Sequence, residues 1–384
     1  MPDSKTAQGP PARRLRRARG LTITAVLIVL FGVPWWTLAG AGTQWPGVLV
    51  VAVTILFIGG LLALPLLLYL GHGRRGQDWA ARIGDAILGV IWVLFAWALL
   101  SNLLRLALAI GGLADPLRSR IIAVAVFAIA LPLLLWGYFE AMRVPRIKSV
   151  PVTISRLARG LHGVRIVLLT DTHFGPINRA RWSTAVVAAV NALDADIVCH
   201  TGDIADGSVV QRREQVAALA NVRAKLAKVY VLGNHEHFGW PQTWLEHMRQ
   251  LGWESLHNRH IVVRREGAAL VVAGVDDATA VAPSHYAAAL AGVDPKQPVV
   301  LLAHQPKQID AAIELGIDLQ LSGHTHGGQI WPFDLIVRLV QPSLHGLTRH
   351  GERAQLYTSR GTGFWGPPLR IFAPSEITVL TLNG

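Results

Sequence analysis

The distribution of apolar positions divides the chain near residue 140. Ahead of that point lie four long apolar runs, Leu21–Gly40, Val48–Leu70, Ala86–Ile110 and Ile121–Tyr138. Each approaches the roughly 20 residues a helix needs to cross a bilayer. The first run alone could be a signal peptide, but three further spans make it the first of a set. The third is interrupted by Ser101, Asn102 and Arg105 and is expected to stop near Leu104, with Arg105 snorkelling to the interface. Trp35 and Trp36 suit an interfacial position, and Pro132 is tolerable inside a membrane helix. The reading is a basic, disordered N-terminus over 1–20, a membrane region of about four transmembrane helices over 21–142, a linker over 143–160, and a second domain over 161–384.

From Val164 onward the pattern changes to short apolar runs alternating with helical ones. The expected strands are Val164–Thr170, Ile197–His200, Val229–Leu232, Val262–Val263, Leu270–Val275, Val299–Ala303, Leu319–Leu321, Leu356–Ser359 and Ile377–Leu382. The expected helices are Ala180–Leu193, Val210–Ala227, Pro241–Leu251, Tyr286–Ala291 and Pro306–Glu314. Such alternation predicts a layered α/β domain with much of its sheet buried. In open sheets of that kind, ligands gather beyond the carboxyl ends of the strands.

Charge changes the picture in one respect. Residues 1–150 hold 15 Lys/Arg against 5 Asp/Glu, a net of +10, whereas residues 151–384 hold 21 against 19, a net of +2. The basicity belongs to the membrane part, so a nucleic-acid reading of the charge loses most of its support and no specific nucleic-acid partner is expected. The N-terminus, the 71–85 connection (Arg74, Arg75, Arg82) and the exit after the fourth span (Arg143, Arg146, Lys148) are basic, and the 41–47 connection is not. Arg118 and Arg120 sit in the other connection. By the positive-inside rule both termini lie on the cytoplasmic side of the cell membrane. The bilayer is the expected partner, and no obligate protein partner is inferred. The lone Cys199 lies within an apolar run, cannot form an intramolecular disulfide, and is read as buried and inert.

Histidine is skewed the other way, with 14 of 15 after residue 150. Five polar clusters each follow an apolar run: Asp171-Thr172-His173, Gly202-Asp203-Ile204-Ala205-Asp206, Gly233-Asn234-His235-Glu236, His304, and Gly323-His324-Thr325-His326-Gly327-Gly328-Gln329. In the last, two imidazoles one residue apart can face one cavity, and the glycines let the backbone bend and approach a ligand. Carboxylate, imidazole and one amide oxygen form a mixed O/N set suited to Mn²⁺, Fe²⁺/Fe³⁺ or Zn²⁺. With no thiolate present, a structural zinc site is not expected. More ligands are on offer than one ion can use, which suits two adjacent divalent ions.

This ordered set resembles the calcineurin-like metallophosphoesterase superfamily over about residues 160–384, and within it the bacterial phosphodiesterases found at or near membranes. The late stretches Ser359-Arg360-Gly361-Thr362-Gly363 and Pro374-Ser375-Glu376-Ile377 point the same way. The resemblance implies a four-layer α/β/β/α sandwich behind the transmembrane region, and a bimetal centre. By motif, Asp171, His173 and His326 would hold one ion and Asn234, His304 and His324 the other, with Asp203 bridging. His235 would act on the leaving-group oxygen as acid or transition-state stabiliser, and Asp206 would orient a histidine.

Two cations of this kind bind phosphoryl oxygens, lower the pKa of a shared water and orient in-line attack. The reading is a membrane-anchored, metal-dependent phosphodiesterase with a substrate that could be lipid-linked. One departure bears on the substrate. Phosphoprotein phosphatases of the superfamily carry a phosphate-gripping arginine immediately before the Gly-Asn-His-Glu motif, and here that position is Leu232. The alternatives are a phosphomonoesterase or phosphoprotein phosphatase, and a metal-dependent membrane scaffold with weak turnover. The scaffold loses ground because His235 and all seven ligand positions are present. Glu236 and His237 are read as loop residues near the site, and Arg360–Pro368 as a rim over it.

Overall fold

A computed structural model describes residues 12–73, 76–239, 241–280 and 284–384, with side chains from residue 20. Four long helices lead: α1 (Ala12–Ala39), α2 (Gly47–His72), α3 (Asp78–Ile110) and α4 (Leu117–Met142). All four are long and apolar enough to cross a membrane. The basic segment read as disordered to residue 20 is helical from Ala12, because the apolar span behind it propagates the helix backward. Residues 1–11, Arg74 and Arg75 lie outside the described residues. The helix carrying the third span does not end near Leu104. It runs to Ile110, with Asn102 bonding back to the Ala98 and Leu99 carbonyls and Arg105 reaching Ser119 on α4.

The segment read as a linker, with Val152–Ser155 expected to pair into the sheet, forms an edge strand over a longer stretch. Strand β1 (Arg146–Thr153) pairs along its whole length with the last strand, so the fourth span passes directly into the sheet. Pro151 obscures it in the sequence, yet proline is acceptable on an edge strand. There follow β2 (Arg165–Leu169), α5 (Ala180–Asn191), β3 (Ile197–His200), α6 (Val209–Val216), β4 (Ala227–Tyr230), the single turn α7 (Asn234–His237), α8 (Pro241–Gln250), β5 (Glu254–Ser255) and β6 (Arg259–Arg265). The expected helix over 210–227 ends at Val216, passes through a 3₁₀ turn, and yields its last residue to β4. The second half holds β7 (Ala268–Gly274), α9 (Tyr286–Ala289), β8 (Val299–Leu302), α10 (Ile309–Ala312), β9 (Leu319–Ser322), α11 (Phe333–Val340), β10 (Gly346–His350), β11 (Ala354–Thr358) and β12 (Glu376–Asn383).

Two six-stranded mixed sheets result, ordered β1-β12-β2-β3-β4-β5 and β10-β11-β9-β8-β7-β6. The period-2 alternation of each strand sends one set of side chains between the sheets. Ile166, Leu168, Cys199, Val229, Val272, Leu302, Leu321, Tyr357 and Leu380 form that shared core. The opposite faces are covered by α5, α6 and α8 on the first sheet and by α9 and α10 on the second. The architecture is therefore a four-layer α/β/β/α sandwich behind a transmembrane helical region. Truncating one such buried leucine to alanine costs roughly 2–5 kcal/mol, so this core is stiff enough to hold strained loops at its edge.

Candidate metal centre

All five polar clusters converge at the carboxyl ends of β2, β3, β4, β8 and β9. Five of the residues involved have left-handed backbones: Asp171 (φ 51°), His173 (41°), Asp203 (54°), His324 (69°) and His326 (52°). Each such non-glycine residue costs on the order of 1–3 kcal/mol, and such strain concentrates at functional sites. Two glycines allow the loops to close on one another. A Cβ on Gly323 would lie 2.1 Å from an Asp171 carboxylate oxygen, and one on Gly233 would lie 2.2 Å from Asp203 Oδ1.

The side chains form three overlapping donor groups: Asp171, His173 and His326; His173, Asp203 and His235; and Asp203, His304 and His324. Asp203 Oδ2 lies 3.5 Å from His173 Nε2 and 3.2 Å from His304 Nε2. Asn234 Oδ1 sits 3.1 Å from His304 Nε2 and 2.9 Å from His324 Nδ1. His173 Nε2 and His326 Nε2 face each other at 3.1 Å, and Asp171 Oδ1 is 3.5 Å from His326 Nε2.

The partners of the outer ring nitrogens decide what these atoms can accept. His304 Nδ1 donates to the Thr201 carbonyl at 2.7 Å, so in the neutral ring Nε2 carries a lone pair facing two oxygens. His173 Nδ1 donates to Asp206 at 2.9 Å, which likewise turns a lone pair toward His326 and Asp203. Around His304 Nε2, where the Asp203 and Asn234 oxygens converge, electron-rich atoms face one another and call for a cation. Burial opposes charge on His304, but the facing Asp203 outweighs it and raises the proton affinity of the ring; a divalent ion at Nε2 would take the place of that proton. Burial likewise raises the Asp171 carboxyl above its ordinary range. The donor set therefore fits divalent ions held by nitrogen and oxygen.

His235 stands at the edge of this group. Its Nδ1 lies 2.6 Å from Asp206 Oδ1, while its Nε2 is 3.9 Å from Asp203 Oδ2. Burial works against a charge on this ring, yet Asp203 and Asp206 prevail and push its pKa up to about 9. Asp206 in turn is held well below the usual carboxylate range by His173 and His235, which outweigh its desolvation. Asp206 thus orients two histidines, His173 and His235.

A profile of the calcineurin-like phosphoesterases matches residues 164–328. An uncharacterized metallophosphoesterase of Helicobacter pylori is 37% identical over 262 residues, covering 67% of this chain and 69% of the relative. The chain belongs to the calcineurin-like metallophosphoesterases. A zebrafish (Danio rerio) transmembrane protein with a metallophosphoesterase domain is 32% identical over 330 residues, covering 79% of this chain and 74% of the relative. A Campylobacter jejuni metallophosphoesterase is 33% identical over 302 residues, covering 76% and 79%. The family uses a dinuclear centre of divalent metal ions, and the chain brings together Asp and His side chains able to hold metal.

Three features of this metallophosphoesterase site escape a reading by motif. Glu236, read as a loop residue, is fully buried and accepts the N–H groups of Gly233 (2.8 Å), Asp203 (3.0 Å), Ile204 (2.7 Å) and Ala205 (3.3 Å). It locks two ligand loops together. Arg370, also fully buried, donates to His326 Nδ1 at 2.9 Å and to the carbonyls of His326 (2.7 Å), Arg360 (2.8 Å) and Gly363. Burial and the Arg370 charge hold the His326 pKa well below its ordinary value. The ring is thereby kept neutral, with Nδ1 accepting from Arg370 and the ring proton on Nε2. Its sequence position, 44 residues past His326 and outside every cluster, gives no hint of this.

The third feature is a wall supplied by the membrane helices. A cavity of about 20 Å³ beside His173 and Asp206 is lined by Arg82 and Asp85 of α3, together with Arg179 and Phe364. Arg82 donates to the Pro176 carbonyl at 2.8 Å, Asp85 pairs with His72 of α2 at 2.9 Å, and Asp78 takes Arg212 of α6. The 360–368 stretch read as a rim lies against the site: Gly363 N–H donates to the Asp171 carbonyl at 2.9 Å, and the Trp365 ring stands 6.0 Å from His235.

Proposed function

We propose that the chain is a membrane-anchored phosphodiesterase working through two divalent ions on the cytoplasmic side. The observation that carries this reading is the chain of three donor groups joined through His173 and Asp203. Asp171, His173 and His326 would hold one ion, Asn234, His304 and His324 the other, with Asp203 between them. Manganese, iron and zinc suit this mixture of imidazole and oxygen donors. Two bound divalent ions neutralise phosphoryl charge, acidify a water and align it for in-line displacement.

The chain's own residues supply the rest. His235, charged through Asp203 and Asp206, presents Nε2 at the edge of the donor cluster, where it can protonate a departing alkoxide. Asp206 fixes that ring through Nδ1, so the proton is delivered from a defined atom. Glu236 keeps the Asp203 and Asn234 loops in register. The Phe364–Trp365 rim and the α3 wall restrict water on two sides.

A diester is favoured over a phosphoprotein because the position before Gly233 offers no cation. Leu232 is buried in the core beneath the first sheet's helices. Lipid-linked diesters are the first class to test, since residues of α3 line the cavity beside His173. The purified chain should cleave an activated aryl phosphodiester with Mn²⁺ present, and more efficiently than the matching monoester. Turnover that survives exhaustive chelation, or a strong monoester preference, overturns the proposal.

A further inference from the structure

Helix α11 is built inside out for a water-facing element. On a wheel of 3.6 residues per turn, Phe333, Leu335, Ile336, Val337, Leu339 and Val340 cover an apolar arc of about 200°. The remaining arc holds only Asp334 and Arg338, paired at 3.7 Å. A surface helix ordinarily turns its apolar stripe to the core. Here Asp334 packs against Gly328 of the metal-ligand loop, while Leu335 is 57% exposed, Leu339 83% and Val340 67%. No residue of the helix is buried.

What lies next to this helix identifies what covers it. Phe333 packs edge-on against Trp92 of α3, with ring centroids 5.8 Å apart, and Trp331 packs against Trp97 at 5.7 Å. Phe372, itself largely exposed, meets Trp136 of α4 at 5.8 Å. Ile330, Leu369 and Ile371 pack with Val93 and Ala130. Counting back from Ile110 by the ~20 residues that cross a hydrocarbon core puts the near boundary at about residue 90 of α3. The apolar run of α4 ends at Tyr138 on the same side. Trp92, Trp97, Trp136 and Ala130 therefore lie within or at the edge of the hydrocarbon, and the loops packed on them lie there too.

We infer that α11, with Trp331 and Phe372, is an in-plane membrane helix that seats the catalytic domain in the phospholipid bilayer beside its own spans. The apolar arc rests among acyl chains, as in interfacial amphipathic helices. Phe333 follows His326 by only seven residues, so this docking fixes the height of the metal-ligand loop at the membrane surface. The inference rests on the transmembrane helices and the helix geometry, and it stands whatever ester the centre hydrolyses.

The test uses the full chain in nanodiscs loaded at one chain per disc, with single cysteines introduced at Leu335, Ile336, Arg338, Leu339 and Val340, and at Val210 as an exposed reference in water. Cys199 is fully buried and does not compete for label. Spin labels on these sites are read for collision with oxygen, which concentrates in lipid, and with a water-soluble nickel chelate. The expected pattern is severalfold lower nickel access and higher oxygen access at Leu335, Ile336, Leu339 and Val340 than at Val210, with Arg338 closer to the reference. Nickel access at Leu339 equal to that at Val210 overturns the inference. Protection appearing only in discs with two chains, with dipolar broadening between labels, also overturns it and assigns the face to a second copy.

Discussion

Asp206 Oδ1 lies 2.6 Å from His235 Nδ1, and the same oxygen lies 2.9 Å from His173 Nδ1. One carboxylate thus aims both a ring in the donor cluster and the ring at its edge. His235→Asn should lower kcat by about 10²–10⁴-fold, the range associated with a general acid, while metal content stays at the wild-type level. Loss of metal in this variant would make His235 a ligand. Asp206→Asn should lower both kcat and metal content, because it releases His173 as well.

Asp203 is shared by two of the three donor groups, whereas His304 belongs to one. Elemental analysis of Asp203→Asn should show depletion of both ions, and His304→Ala should lose chiefly one. Equal depletion by the two substitutions would remove the bridging role.

Glu236→Ala leaves four backbone N–H groups without their acceptor. A buried unsatisfied donor costs about 1–3 kcal/mol, so a clear drop in melting temperature is expected together with loss of metal. Glu236→Gln keeps one acceptor oxygen and should fall between Ala and wild type. A Glu236→Ala chain with unchanged melting temperature and metal content would show that the carboxylate does not hold the two loops.

Arg370→Gln removes a charge that, with burial, holds the His326 pKa down, and the fork that ties together the carbonyls of His326, Arg360, Gly363 and Ala373. Metal affinity, read by competition with a chelator, should fall, and Arg370→Lys should restore little because a point charge cannot span the same acceptors. Wild-type affinity in Arg370→Gln would reduce the arginine to a packing role.

The donor cluster was legible because its members each follow a strand, where an apolar run ends and a polar cluster begins; Asp171, Asn234 and His304 stood out as candidates without coordinates. What was not legible depends on tertiary approach. Glu236 lies in plain sight beside His235, but only the folding of the Asp203 loop onto it reveals four donors. Arg370 belongs to no pattern, since its partner is distant in sequence. Strand β1 was legible only at its end, where Val152–Ser155 was expected to pair into the sheet; Pro151 and the basic residues of the span exit obscured its start at Arg146. Helix α11 was missed for the opposite reason: its apolar positions face outward, so no core pattern announced an element there. The approach of α3 to the cavity beside His173 and Asp206 is likewise a product of packing, because Arg82 read only as a basic residue of a connection between spans.

The central claim is that turnover depends on two ions held across Asp203. Its most direct test titrates the metal-free full chain with Mn²⁺, following bound metal per chain and hydrolysis of an aryl phosphodiester in the same samples. The account predicts that hydrolysis rises only as occupancy climbs from one ion to two and levels off at two. Full turnover reached at a single ion per chain would contradict it.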